Sequence, residues 1–184
     1  PEVITMLLKA GVDLKAQDNS GMTALMYAAQ QNQNPEVIAT LLKAGADLKA
    51  KDEGGETTLM FAAQYNPHPE VITTLLKAGA DINARDNSEA TALTWAAAHN
   101  ENPEVITTLL EAGADIKAKD MGGLTALMNG AAFNTNPGVI TVLLNAGANA
   151  RAKSNEGKAA FDYAQDNPKL KGTDALKQLE EASK

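Results

Sequence analysis

Pro35-Glu36-Val37-Ile38 recurs letter for letter at Pro1, Pro69 and Pro103 and returns as Pro137-Gly138-Val139-Ile140, so the chain repeats itself every 34 residues almost from end to end. Self-similarity at such a period means that each unit is a supersecondary piece unable to bury its own apolar face. Neighbours must therefore stack into one continuous core. Counting in repeats gives a half unit at 1–17, full units at 18–51, 52–85, 86–119 and 120–153, and a divergent last unit at 154–184, all within one elongated domain of 1–184.

Each full unit spells two helices. In the unit that contains Pro35, Thr23 is the N-cap of a helix over Ala24 to Gln31, its hydroxyl taking a free amide of the first turn. Asn32 then closes the helix in the left-handed conformation that Asn tolerates next best after Gly, and Asn66, Asn100 and Asn134 are expected to do likewise. A second helix follows, capped by Asn34, with Pro35 at its first position, Glu36 near the positive end of the helix dipole and Gly45 ending it. Gly11, Gly79, Gly113 and Gly147 hold the equivalent place. Between Gly45 and Thr57 lies an extended arm with a Gly-rich tip, which reads as a hairpin-like turn.

The frame Asp18…Gly21-Met22-Thr23-Ala24-Leu25…Ala28-Ala29…Val37…Leu41-Leu42…Gly45-Ala46-Asp47 resembles the ankyrin repeat, and the resemblance recurs unit after unit. It implies an all-α solenoid of helix-turn-helix units with hairpin-like fingers, similar to prokaryotic members of the family. Two departures stand out. The family's Thr-Pro-Leu-His is here Thr-Ala-Leu-Met at Thr23 to Met26, exchanging a hydrogen-bonding His for an apolar packer, and each unit is one residue longer than the usual 33 in the loop before Asn34, His68, Asn102 and Asn136. In the last unit Phe161 replaces Leu and Ala159 replaces the Thr cap, before a polar final helix from about Asp174 to Ala182 suited to a capping face. The other end differs, because Pro1 to Lys9 is a second helix without its first. The expectation is that the natural product extends upstream.

Composition narrows the function. With 44% hydrophobic and 21% charged residues the chain reads as a folded soluble protein, and no apolar run approaches the roughly 20 residues of a membrane span. A net charge of -7 repels phosphate backbones, which argues against nucleic acid as a partner. Zero cysteines fit a reducing cytoplasm and also a periplasmic or secreted setting. No catalytic set is apparent: His68 and His99 fall in different repeat columns without further ligands, serines sit on finger tips, and the periodic carboxylates read as structural. Glu53-Gly54-Gly55-Glu56 is acidic where a phosphate loop should not be. Neither enzyme activity nor a cofactor nor a metal is expected.

At about 100° per residue, Leu25, Ala28 and Ala29 share the core face of the first helix, with Tyr27, Gln30 and Gln31 opposite. Down the chain the Tyr27 column reads Tyr27, Phe61, Trp95, Asn129 and Tyr163, and the next reads Gln31, Tyr65, His99 and Phe133. Of one Trp, three Tyr and three Phe, all but Phe161 lie in these columns. Exposed rings anchor interfaces, although a ring in the first column can instead pack between repeats. Met121 and Leu124 place apolar side chains on a finger tip, where they either pack against a neighbouring tip or meet a partner. The candidate partner-binding residues are thus Tyr27, Phe61, Tyr65, Trp95, His99, Phe133, Met121 and Leu124, with Trp95 at the centre.

The basic columns Lys15, Lys49, Lys117, Arg151 and Lys51, Arg85, Lys119, Lys153 run beside Asp13, Asp47, Asp81 and Asp115 and read as a solvated salt-bridge ladder. The ankyrin resemblance implies a non-catalytic scaffold that binds a protein through the groove and finger tips. The alternative is a regulatory or targeting arm of a larger enzyme or secreted effector whose chemistry lies upstream. A monomer is expected, with end-to-end stacking at the N-terminal half unit as its route to association.

Overall fold

A threonine hydroxyl starts four of the inner helices. Thr23 Oγ1 accepts the Met26 N–H at 3.3 Å, Thr57 Oγ1 that of Met60 at 3.3 Å, Thr91 Oγ1 that of Thr94 at 3.3 Å and Thr125 Oγ1 that of Met128 at 3.4 Å. In the computed structural model, which describes Met6 and residues 11–184, these caps open α1 (Ala24–Gln31), α3 (Thr58–Tyr65), α5 (Ala92–His99) and α7 (Ala126–Phe133). The helix expected over Pro1 to Lys9 lies outside the described residues, apart from Met6. The outer helices are α2 (Pro35–Lys43), α4 (Pro69–Lys77), α6 (Pro103–Glu111) and α8 (Pro137–Asn145). Asn34, Asn102 and Asn136 cap three of them through Oδ1, whereas His68 makes no side-chain cap bond. Each outer helix ends in a left-handed glycine, with φ of 95°, 96°, 95° and 87° at Gly45, Gly79, Gly113 and Gly147. There the Ala46 N–H reaches back to the Leu41 carbonyl, satisfying the last turn as the sequence predicts.

The last pair, α9 (Ala160–Asp166) and α10 (Asp174–Ala182), completes the described helices. Ala159 has no side-chain oxygen to offer, and instead its own N–H donates to Asp162 Oδ2 at 2.7 Å. Inner helices pack on inner helices and outer on outer. Leu25, Leu59, Leu93 and Leu127 with Ile38, Ile72, Ile106 and Ile140 are buried in one continuous cluster, each such side chain contributing about 1.5–3 kcal/mol by burial. Met26 and Met60 are buried as apolar packers, and their sulfurs also receive the Thr23 and Thr57 N–H groups at 3.4 and 3.3 Å.

Asn66, Asn100 and Asn134 do not adopt the left-handed conformation expected of them, and nor does Asn32: all four are extended, with ψ between 118° and 143°. Their side chains explain the recurrence. Asn66 Nδ2 donates to the carbonyls of Ala29 and Asn32, both at 2.9 Å, and Asn100 Nδ2 to those of Ala63 and Asn66 at 2.8 and 2.9 Å. Asn134 and Asn167 repeat the pattern one unit further on each time. Each Oδ1 also accepts an N–H two residues on, so a fully engaged buried amide ties one repeat to the one before.

The arms form hairpin-like fingers closed by single antiparallel bridges at Gln17–Thr23, Lys51–Thr57 and Lys119–Thr125. Adjacent tips zip together through main-chain bonds from Glu53 to Ser20, Asn87 to Gly54, Met121 to Ser88 and Asn155 to Gly122. The basic columns do not build the expected salt-bridge ladder. Lys51 Nζ donates to the Arg85 carbonyl at 2.8 Å, Arg85 to that of Lys119 at 2.8 Å, and Lys119 Nζ to that of Lys153 at 2.7 Å. Asp13, Asp47, Asp81 and Asp115 are occupied otherwise, each accepting a main-chain N–H two residues on. Lys51, Arg85 and Lys119 of the second column therefore couple repeats by charge-assisted bonds to carbonyls.

Candidate functional site

Every described unit opens on a polar side chain, Asp18, Asp52, Asp86, Asp120 or Ser154, nine residues before the first aromatic column. One oxygen of the carboxylate folds the tip, as where Asp86 Oδ1 accepts the Ser88 and Ala90 N–H groups and Asp120 Oδ1 those of Gly122 and Leu124. The other faces the inner helix. Asp18 Oδ2 takes the Tyr27 hydroxyl at 2.6 Å, Asp86 Oδ2 the Trp95 indole N–H at 2.8 Å, and Asp120 Oδ2 the Asn129 amide at 3.2 Å, while Tyr163 meets Ser154 at 2.9 Å. The Asp18–Tyr27 bond lowers the carboxyl pKa and raises that of the phenol, since it favours the proton arrangement already present.

Four of the five positions in the first column, Tyr27, Trp95, Asn129 and Tyr163, are thus tip-to-helix struts. Phe61 has no donor to offer Asp52. It is 6% exposed and packs with Met22 and Met26, so its expected place on the surface is corrected to the space between repeats. Trp95 is half-buried, fixed at its nitrogen, and leans on the core. The second column does reach the surface, with Tyr65 at 51% and Phe133 at 59% exposure and His99 exposed beside them. Trp95, His99 and Phe133 form a stack, with centroids 5.7 and 6.4 Å apart and planes inclined by 24° and 19°. Met121 stands out at 67% exposure, whereas Leu124 turns inward onto the core. Tyr27 stays exposed but lies two inner helices from the stack.

Beside this stack a cavity of about 230 Å³ opens between the fingers and the inner helices, lined by Ser88, Ala90, Thr94, Trp95, Ala98, His99, Asp120, Asn129 and Phe133. Burial lowers the His99 pKa below its ordinary 6.5, so the imidazole is neutral at pH 7. One repeat earlier the equivalent positions hold Glu56, Gln64 and Trp95 in place of Ala90, Ala98 and Asn129. Gln64 is buried there, and Glu56 has one carboxyl oxygen buried without a partner. Desolvation, with Asp52 and Asp86 adding repulsion, pushes Glu56 up to about 7, and burial, with the Glu56 charge adding to it, raises the Tyr65 phenol. Sequence reasoning picked the rings but missed Ala90, Ala98, Asp120 and Asn129. Reading the columns for loss of volume, instead of for conspicuous residues, would have found them.

The family model described as ankyrin repeats, in three copies, matches residues 1–86, 50–120 and 93–182. The chain belongs to the ankyrin repeat family, an all-helical solenoid whose members are in general protein–protein interaction modules and typically not catalysts. No curated protein matches the chain.

Proposed function

We propose that this protein is a non-catalytic interaction module that holds a partner protein in the groove between fingers and inner helices. The carrying observation is the ring stack of Trp95, His99 and Phe133, exposed at its outer end, with Tyr65 exposed in the same column one repeat before His99 and Met121 exposed on the finger tip of the unit that carries Phe133. Such a patch is rigid before binding, because Trp95 is tied to Asp86 and each ring braces the next, so little side-chain entropy remains to be lost. Anchors of this kind typically cost 2 kcal/mol or more when truncated, about thirtyfold in affinity.

Affinity capture from source extract with quantitative mass spectrometry tests the reading. Trp95→Ala should weaken capture about thirtyfold, but it also strips Asp86 Oδ2 of its donor and will lower stability. Phe133→Ala separates the two effects: its exposed ring contributes little to folding, yet capture should drop at least about tenfold. A folded Phe133→Ala protein that captures its partner undiminished would take the binding surface away from the stack.

A further inference from the structure

The cavity beside the stack has a chemistry narrower than protein binding in general. At about 230 Å³ it is smaller than the roughly 300–1,000 Å³ of sites that enclose a small molecule, which suits a single side chain. One wall is the Trp95, His99 and Phe133 stack, whose faces attract cations. The Asp120 side of the tip lines the same cavity, and its carboxylate takes part in none of the ion pairs among the described residues. Its three hydrogen bonds come from neutral donors, the Gly122 and Leu124 amides and Asn129, while an ionised carboxylate offers about four acceptor positions.

Among the described residues, no lysine or arginine lines this space. His99 is neutral at pH 7, Lys119 is engaged with the Lys153 carbonyl, and the chain carries a net charge of -7. An ammonium is compact and strongly hydrated, whereas a guanidinium is flat, weakly hydrated and able both to stack on rings and to fork onto a carboxylate. We propose that the cavity takes an arginine side chain of the partner protein, its guanidinium lying against the ring stack and bonded to Asp120. This rests on the groove reading above and assigns that groove a basic segment as its ligand.

Trp95 is the chain's single tryptophan, so its indole N–H resonance reports on the cavity without assignment ambiguity. N-acetylarginine amide should shift that resonance saturably, and N-acetylcitrulline amide, nearly the same shape without the charge, should bind at least about tenfold more weakly. Asp120→Asn keeps an oxygen to receive the Gly122 and Leu124 amides and should lose at least about tenfold in affinity for the arginine probe. Ala98→Gln leaves Asp120 untouched and restores the side chain that occupies the preceding junction, and it should abolish the shift by filling the cavity. Equal binding of the arginine and citrulline probes, equal binding of N-acetyllysine amide, or no saturable shift would overturn the arginine assignment. Loss of the arginine shift together with intact sensitivity of partner capture to Phe133→Ala would leave the groove reading standing. Probe binding combined with capture indifferent to Phe133→Ala would sink the groove reading and the arginine partner with it.

Discussion

At the junction of α3 with α5, the side chains of Glu56, Gln64 and Trp95 occupy positions that Ala90, Ala98 and Asn129 hold at the junction of α5 with α7. The backbone frame is the same at both, with the tip zipped to its neighbour and a buried asparagine tying helix to helix. What differs is volume and charge. The first junction spends its groove on a crowded, partly desolvated carboxylate, and the second leaves a cavity walled by rings. In a repeat array the frame supplies stability through neighbour contacts, so individual groove positions are free to specialise without unfolding the whole.

The largest effect tests the shared frame. Asn100→Ala at the filled junction and Asn134→Ala at the open one each leave two buried carbonyls and an amide without their partners. Each should cost about 3 kcal/mol, since an orphaned buried group costs about 1–3 kcal/mol, read from urea midpoints. A loss at Asn134 well below that at Asn100 would mean that the open junction is already held by something other than its clamp.

Charge separates the junctions next. The Glu56 carboxyl titrates at about 7 in the folded chain against an ordinary 4.5, so the native state binds more protons between those values and stability falls as pH rises through them. Its contribution is fully present below pH 4.5 and lost by about pH 8. The side chain is partly exposed and screened, which reduces the effect to roughly 1.5 kcal/mol, under half of the about 3.4 kcal/mol that the whole unscreened shift would give at 1.36 kcal/mol per unit. Glu56→Gln should flatten that part of the stability profile measured by urea unfolding at pH 5 and pH 8. Ala90→Glu should add a second dependence of the same sign by copying the carboxylate into the open junction. If Ala90→Glu leaves the profile unchanged, the cavity is wetter than the preceding junction.

The smallest effect concerns the tip that borders the cavity. Glu89 has φ 63°, where Gly21, Gly55, Gly123 and Gly157 hold the same left-handed position in the other units. Glu89→Gly removes that strain but also loses the exposed Arg85–Glu89 pair at 3.2 Å, worth little in solvent. It also frees the unfolded chain. The balance is a gain of about 0.5 kcal/mol in thermal unfolding. A loss instead would show that Arg85, which also bonds the Glu89 and Lys119 carbonyls, depends on that carboxylate to hold the tip in place.

The 34-residue period is written in the sequence itself, and the Thr caps, the Pro starts and the glycine stops were legible because each satisfies neighbours within about one helical turn. Helix limits such as Ala24–Gln31 and Asp174–Ala182 agree with the sequence reading for that reason. Other features depend on a residue one repeat away. The role of Asn66 lies in carbonyls more than 30 positions earlier, that of Lys51 in the Arg85 carbonyl, and the burial of Phe61 in Met22 and Met26. A helical wheel separates faces of one helix but knows nothing of what the next repeat places over them, so Phe61 and Phe133 look equivalent on it. The cavity is the extreme case. It is made by side chains that are small, and only the stacking of α5 on α7 turns the shortness of Ala90, Ala98 and Asn129 into a space lined by rings and a carboxylate.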